Sequence, residues 1–213
     1  METNFTHKIT YSICVSGAAD GPTVQGAADM ARALGDAIAR SGHTILTGAT
    51  VGLPYYAAAA AKLAGGKSIG FSPAVSLREH LRKYRLPYSS YDFINFTGMH
   101  YVGRDVYLVQ SSDAVITIGG RFGSLHEFTS ALEANKPCGV LTGSGGTADL
   151  ISGLIDMLDP ARRSLVIFHD NPKELVKLVV EKINEKYADI HEQLERFDEY
   201  WFLRDESRDT REG

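Results

Sequence analysis

Asp113-Ala114-Val115-Ile116-Thr117-Ile118-Gly119-Gly120-Arg121-Phe122-Gly123-Ser124-Leu125-His126-Glu127 decides the fold. Its first half is a short apolar, β-branched run, as expected of a strand buried on both faces. Glycines at 119, 120 and 123 then open conformations closed to other residues, and a helical stretch follows from Gly123 to Ala134. A strand, a glycine turn and a helix in that order expose backbone N–H groups at the positive end of a helix dipole, which makes a phosphate site. Ser124 adds a hydroxyl donor there, and Glu127, one turn in, brings a carboxylate back toward whatever the loop holds. The spacing Ser124-x-x-Glu127 is equally that of a capping box, which needs no ligand.

Outward from this unit the same alternation runs the length of the chain. Strands are predicted at Tyr11–Ser16, Thr44–Thr47, Ser68–Phe71, Asp92–Phe96, Ala114–Ile118, Gly139–Leu141 and Leu165–Phe168. Helices are predicted at Thr23–Ser41, Leu53–Ala64, Val102–Ser111, Gly123–Ala134, Thr147–Leu158 and Pro172–Ala188. This is the pattern of an α/β, doubly wound, mostly parallel sheet with helices on both faces. Ligands of such sheets bind beyond the carboxyl ends of the strands. Three glycine-bearing loops fall at such ends: Ser16-Gly17 to Gly21, Thr47-Gly48 to Gly52, and Gly119 to Gly123. Their convergence predicts one pocket.

The 213 residues suit one substantial domain, placed at 1–203, followed by a charged tail at 204–213 that is expected to fray. Trp201 and Phe202 before that tail are expected to anchor on the body or on another subunit. The net charge of −4 and the pI near 6.0 supply no basic field, which disfavours nucleic acid and membrane surfaces as partners. No signal-like or membrane-length apolar run occurs, so a cytoplasmic location is expected. Cys14 and Cys138 each sit in a strand-like apolar segment and read as reduced core thiols. The alanine run after Tyr56 reads as a helix packed closely on the sheet or on a partner subunit, and residues 74–92, polar and aromatic, as a solvated connector with a lid as the alternative.

Met99-His100 and Arg104, set before the 119–127 loop, complete a pattern that resembles the LONELY GUY family of Rossmann-like nucleotide-binding proteins. In that family a Met-His-x-Arg-Lys element precedes a Pro-Gly-Gly-x-Gly-Thr-x-x-Glu loop, and an earlier glycine turn precedes an alanine-rich helix. Here Gly48-Ala-Thr-Val-Gly52-Leu53 takes the place of the earlier turn, and the likeness runs from about Ile13 to Tyr187. The chain departs from the pattern at Gly119, where the family has proline, at Arg121, where it has glycine, at Ser124, where it has threonine, and at Asp105, where it has lysine. Arg121 either resists a backbone shape made for glycine or grips a phosphate through its guanidinium fork.

The resemblance implies hydrolysis of the N-glycosidic bond of a nucleoside 5′-monophosphate, AMP or a related nucleotide, to free base and ribose 5-phosphate. It nominates Arg104 and Glu127 as the catalytic pair and Gly120, Gly123 and Ser124 on the phosphate. With the flanking loop residues, the expected nucleotide-binding set is Ser16, Gly17, Gly48, Met99, Gly119, Gly120, Arg121, Phe122, Gly123 and Ser124. It also implies a homodimer or larger homo-oligomer. A carboxylate suits this chemistry because the transition state resembles an oxocarbenium ion, which Glu127 would stabilise while positioning or deprotonating water.

His100 and His126 flank the pair and are candidates to protonate the leaving base, or are surface and core histidines. Asp20 and Asp105 are expected to be solvated rim acids, and Asp113 a turn or cap residue. The seven histidines form no compact ligand motif and nothing marks a Schiff-base lysine, so neither a metal nor another cofactor is expected. Two other readings stand beside the hydrolase: a non-catalytic nucleotide or cofactor carrier like the molybdenum-cofactor carriers of the wider group, and, weakened by the acidic balance, a DNA-strand binder.

Overall fold

The computed structural model describes residues 9–191. Its strands are β1 (Ser12–Gly17), β2 (Thr44–Thr47), β3 (Ser68–Ser72), β4 (Phe93–Phe96), β5 (Ala114–Ile118), β6 (Cys138–Leu141) and β7 (Val166–His169). The helices are α1 (Pro22–Arg40), α2 (Leu53–Leu63), α3 (Leu77–Arg82), α4 (His100–Gln110), α5 (Phe122–Glu133), α6 (Gly146–Leu158) and α7 (Pro172–Lys186), with a 3₁₀ turn at Pro160–Leu165. All seven strands are parallel, in the order β4-β3-β2-β1-β5-β6-β7. The chain builds outward from β1 to one edge, then returns to lay β5 on the free side of β1. That reversal between β1 and β5 opens a crevice at the carboxyl ends of both strands.

Period-two alternation sorts the core onto two faces. Ile13, Val15, Ile116 and Ile118 pack with residues of α1, α2 and α7, whereas Cys14, Val115 and Val140 pack with residues of α4, α5 and α6. The doubly wound architecture is therefore present as predicted. The alanine-rich helix does what its composition implied: Ala57, Ala58 and Ala61 are buried, and α2 lies so close to α1 that a Cβ on Gly35 would come 1.9 Å from the Ala57 carbonyl oxygen.

Residues 74–92 are neither a purely solvated connector nor a lid. They contain α3, capped by Ser76, whose hydroxyl accepts the Glu79 N–H, while the Glu79 carboxylate accepts the Val75 N–H. His80 is fully buried between Ser72 Oγ and the Pro87 carbonyl, and buried Tyr91 pairs with Thr47. Cys14 and Cys138 are buried free thiols, as expected; burial raises both thiol pKa values, that of Cys138 to about 12. Asp113 is a tie rather than an acid at work, accepting the Ser12 N–H at 2.7 Å and the Tyr187 hydroxyl at 3.0 Å. The tail at 204–213, with Trp201 and Phe202, lies outside the described residues.

Candidate functional site

The crevice at the β1–β5 reversal holds a cleft of about 230 Å³. Its walls are Gly17 to Ala19 after β1, Gly48 and Thr50 after β2, Tyr101, Arg104 and Asp105 on α4, and Arg121, Gly123, Ser124 and Glu127 after β5. A larger groove, of about 1100 Å³, runs between α1 and α7 away from these loops, and its lining includes Ile9 and His191, the first and last described residues. It holds neither the glycine loops nor Arg104 and Glu127, so the smaller cleft is the candidate site despite its size.

Glu127 lies one turn inside α5, is 8% exposed, and accepts a hydrogen bond from Ser16 Oγ at the end of β1. Burial pushes its carboxyl up to about 7, although the Arg104 guanidinium pulls the other way; the neighbouring Asp105 carboxylate adds to the rise, and the Ser16 hydrogen bond opposes it. Arg104 is 4% exposed and donates from Nη1 to the Phe71 carbonyl at 3.2 Å. Gly48 makes room for it, since a Cβ there would sit 1.6 Å from Arg104 Nη1. Arg104 Nε lies 3.2 Å from Asp105 Oδ1, near enough for an ion pair but without the alignment of a hydrogen bond, so this buried N–H remains unpartnered. The Nε atom is itself shielded from solvent and faces the Asp105 carboxylate.

The 119–127 loop resolves two alternatives left by the sequence. Helix α5 starts at Phe122 with Arg121 as its N-cap, so Ser124 is a first-turn residue and the capping-box reading fails. The first-turn N–H groups of Phe122, Gly123 and Ser124 have no intrahelical acceptor and no side-chain cap. Two of them belong to residues on the cleft wall, at the helix end where the sequence places its phosphate expectation. Arg121 adopts an extended backbone, φ −137°, which any residue tolerates, so it replaces glycine without strain and its side chain borders the cleft. The left-handed positions are Gly119 (φ 56°) and Gly120 (φ 100°), and Gly120 also leaves space for Ser124, whose Oγ would lie 2.6 Å from an added Cβ.

Of the predicted residues, Gly17, Gly48, Arg104, Arg121, Gly123, Ser124 and Glu127 share the cleft wall, and Ser16 joins them through Glu127. Gly119 and Gly120 serve the loop instead: their carbonyls accept the Ala148 and Thr147 N–H groups of α6, and the Gly119 N–H is taken by Ser144 Oγ. Phe122, 89% exposed, and Met99, 48% exposed, do not line the cleft. His100 sits at the start of α4 with its Nδ1 2.8 Å from the Tyr84 hydroxyl, outside the wall. Asp20 is solvated as expected, its carboxylate accepting the N–H of the adjacent Gly21.

Asp105 reverses its expectation. It is 5% exposed, on the wall, and lies between Arg104 Nε and His126 Nδ1. The signal was available: Arg104, Asp105, Leu108 and Val109 form a helix-period stripe, all four buried, so the apolar pair fixes the orientation of the charged pair one turn earlier. Among the described residues no group of three or more His, Cys, Asp or Glu is placed to hold a metal ion, and no helix is long and apolar enough to cross a membrane.

A parallel sheet reversed at β1/β5, with a glycine-rich helix start and buried Arg104 and Glu127 in the crevice, defines a Rossmann-like protein. The chain belongs to the SLOG cluster4 family, whose profile matches residues 10–176. An uncharacterized protein of Archaeoglobus fulgidus is 33% identical over 103 residues, 48% of this chain; the match spans only 62% of that relative. Among solved structures, TM1055 superimposes with a TM-score of 0.70 at 25% identity, over 81% of this chain and 99% of its own. The molybdenum cofactor binding protein of the phototrophic bacterium Rippkaea orientalis superimposes with a TM-score of 0.68 at 28% identity, over 83% and 99%.

Proposed function

We propose that the cleft binds a nucleoside 5′-monophosphate and hydrolyses its N-glycosidic bond, with Glu127 as the working carboxylate and Arg104 beside it. The observation that carries the reading is the Glu127 carboxyl itself: buried in a cleft, hydrogen-bonded to Ser16, and held at about 7, where it exchanges a proton at neutral pH. The phosphate meets the first-turn N–H groups of Gly123 and Ser124 and the Arg121 guanidinium. Arg104, on the cleft wall, is placed to face the ribose. A cleft of about 230 Å³ is smaller than the roughly 300–1,000 Å³ of pockets that enclose whole drug-sized ligands. The ribosyl phosphate therefore enters and the base stays at the mouth beside Tyr101.

In the reaction the C1′–N bond breaks with its electron pair leaving on the base, and a water oxygen bonds to C1′. The water proton passes to the Glu127 carboxylate, and the departing base takes a proton from solvent at the mouth. Glu127 must be ionised to act, so turnover rises with pH through about 7. The deciding experiment follows free base and ribose 5-phosphate by chromatography from AMP and a panel of nucleoside monophosphates. Release by wild type, with a loss of about 10²-fold or more in Glu127→Gln, is expected; equal release by both proteins removes Glu127 from the mechanism.

A second reading, a carrier that holds a phosphorylated cofactor without cleaving it, draws on two observations. Asp105 replaces the lysine of the LONELY GUY pattern and adds negative charge beside Glu127. The structural neighbour at 28% identity is named for binding molybdenum cofactor. Saturable nucleotide binding by calorimetry with no base released would favour this reading.

A further inference from the structure

The buried part of the cleft contains more acid than its buried arginine neutralises, Arg121 standing at the exposed rim. Arg104, Asp105 and Glu127 are 4%, 5% and 8% exposed, one cation against two carboxyls, and a buried unbalanced charge is costly. Asp105 and Glu127 line the same cleft, and the Asp105 carboxylate raises the Glu127 carboxyl, so the two acids favour one proton held between them over two negative charges. From Asp105 the contacts continue outward: its Oδ2 lies 3.1 Å from His126 Nδ1, and the His126 side chain is 40% exposed. His126 is the member of this set with open access to water, and it precedes Glu127 in the same helix while Asp105 arrives from α4.

We infer that Asp105 and His126 form a proton path between Glu127 and solvent, with His126 a positioning residue that sets the ionisation of Glu127 through Asp105. One proton cancels the excess charge, and it resides either on the carboxyl pair or on the imidazole. With the proton on His126, the imidazolium balances Asp105, Arg104 faces Glu127, and Glu127 is an ionised base. With the proton on the carboxyl pair, His126 is neutral and Glu127 is blocked. The other groups facing Glu127 are Ser16 and Cys14 of β1; Ser16 donates to the ionised carboxylate, and the Cys14 thiol is held protonated by burial. Arg121 borders the same cleft from the N-cap of α5.

The consequence for turnover rests on the hydrolase reading. The proton that Glu127 takes from water passes to Asp105, then to His126 Nδ1, and the imidazolium releases its Nε2 proton to solvent, returning Glu127 to its ionised form.

The test needs no substrate, so it decides the proposal whether or not the chain turns a nucleotide over. The His126 resonances of the histidine-labelled protein are titrated by NMR in wild type, Glu127→Gln and Ser16→Ala. Loss of the Glu127 charge lowers the His126 midpoint by roughly half a pH unit or more. Ser16→Ala, which removes a hydrogen bond that favours ionised Glu127, shifts it in the same direction and stands in if the first variant misfolds. Unchanged His43 and His80 signals report an intact fold. A His126 midpoint that agrees within roughly a tenth of a unit in wild type and in a folded variant overturns the proposal, because a His126 that sets the ionisation of Glu127 must by linkage respond to the charge on Glu127.

Discussion

At Glu127 the competition between burial and a nearby cation is decided in favour of burial. The Arg104 guanidinium favours the carboxylate, yet desolvation and Asp105 together hold the carboxyl at about 7, above its ordinary 4.5. The folded chain therefore binds a proton that the unfolded chain releases. That contribution to stability is complete below pH 4.5 and is lost as pH rises through about 7. Glu127→Gln keeps the shape of the side chain and removes the titration. Its Tm relative to wild type is expected to rise across this window and to level off above it, measured by thermal melts at several pH values. A constant difference from pH 4 to 8 would show that Glu127 does not titrate within the fold.

Between elements, small residues set how closely α1 and α2 approach. Alanine is the better helix former by roughly 0.5–1 kcal/mol, and Gly26, with open space around its Cβ position, is expected to gain about that much on substitution by alanine. Gly35 in the same helix is expected to do the reverse. An added Cβ meets the Ala57 carbonyl oxygen at 1.9 Å, and prying the helices apart costs about 1–3 kcal/mol, more than the propensity gain. Paired chemical melts of Gly26→Ala and Gly35→Ala are expected to move in opposite directions. Equal shifts would mean that α1 and α2 are not in contact at this point.

Across the molecule, the same sheet serves the site and the core. The carboxyl ends of β1, β2 and β5 deliver Ser16, Gly48 and the 119–127 loop to one crevice, while their bodies bury Cys14, Ile45 and Ile116. Cys14 and, on β6, Cys138 lie in the core packed against α4, α5 and α6, with thiol pKa values raised by burial. A thiol reagent in native buffer is expected to label neither; labelling should appear along the denaturant curve at the global unfolding midpoint. Rapid labelling of folded protein would place one of these strands at a surface.

The order of strands and helices, the parallel class and the strand-to-helix glycine loop were legible in the sequence, because period-two and period-3.6 apolar patterns and glycine turns are local properties of the chain. Glu127, Ser124 and Gly48 were legible as cleft residues through their glycine loops, and Arg104 through the resemblance to the LONELY GUY pattern. The tertiary structure alone decided which acids are solvated and which are buried. Asp20 and Asp105 are the same residue type in polar surroundings along the chain, but α4 packs Asp105 against Arg104 and His126 while Asp20 stays in an open turn. It likewise decided that Arg121 sits without strain, that Phe122 and Met99 stay off the cleft wall, and that Gly119 and Gly120 spend their carbonyls on α6. Burial and the pairing of charges depend on which elements meet in space, and groups from α4, α5 and β1 that set the protonation of Glu127 are brought within reach only when the sheet closes.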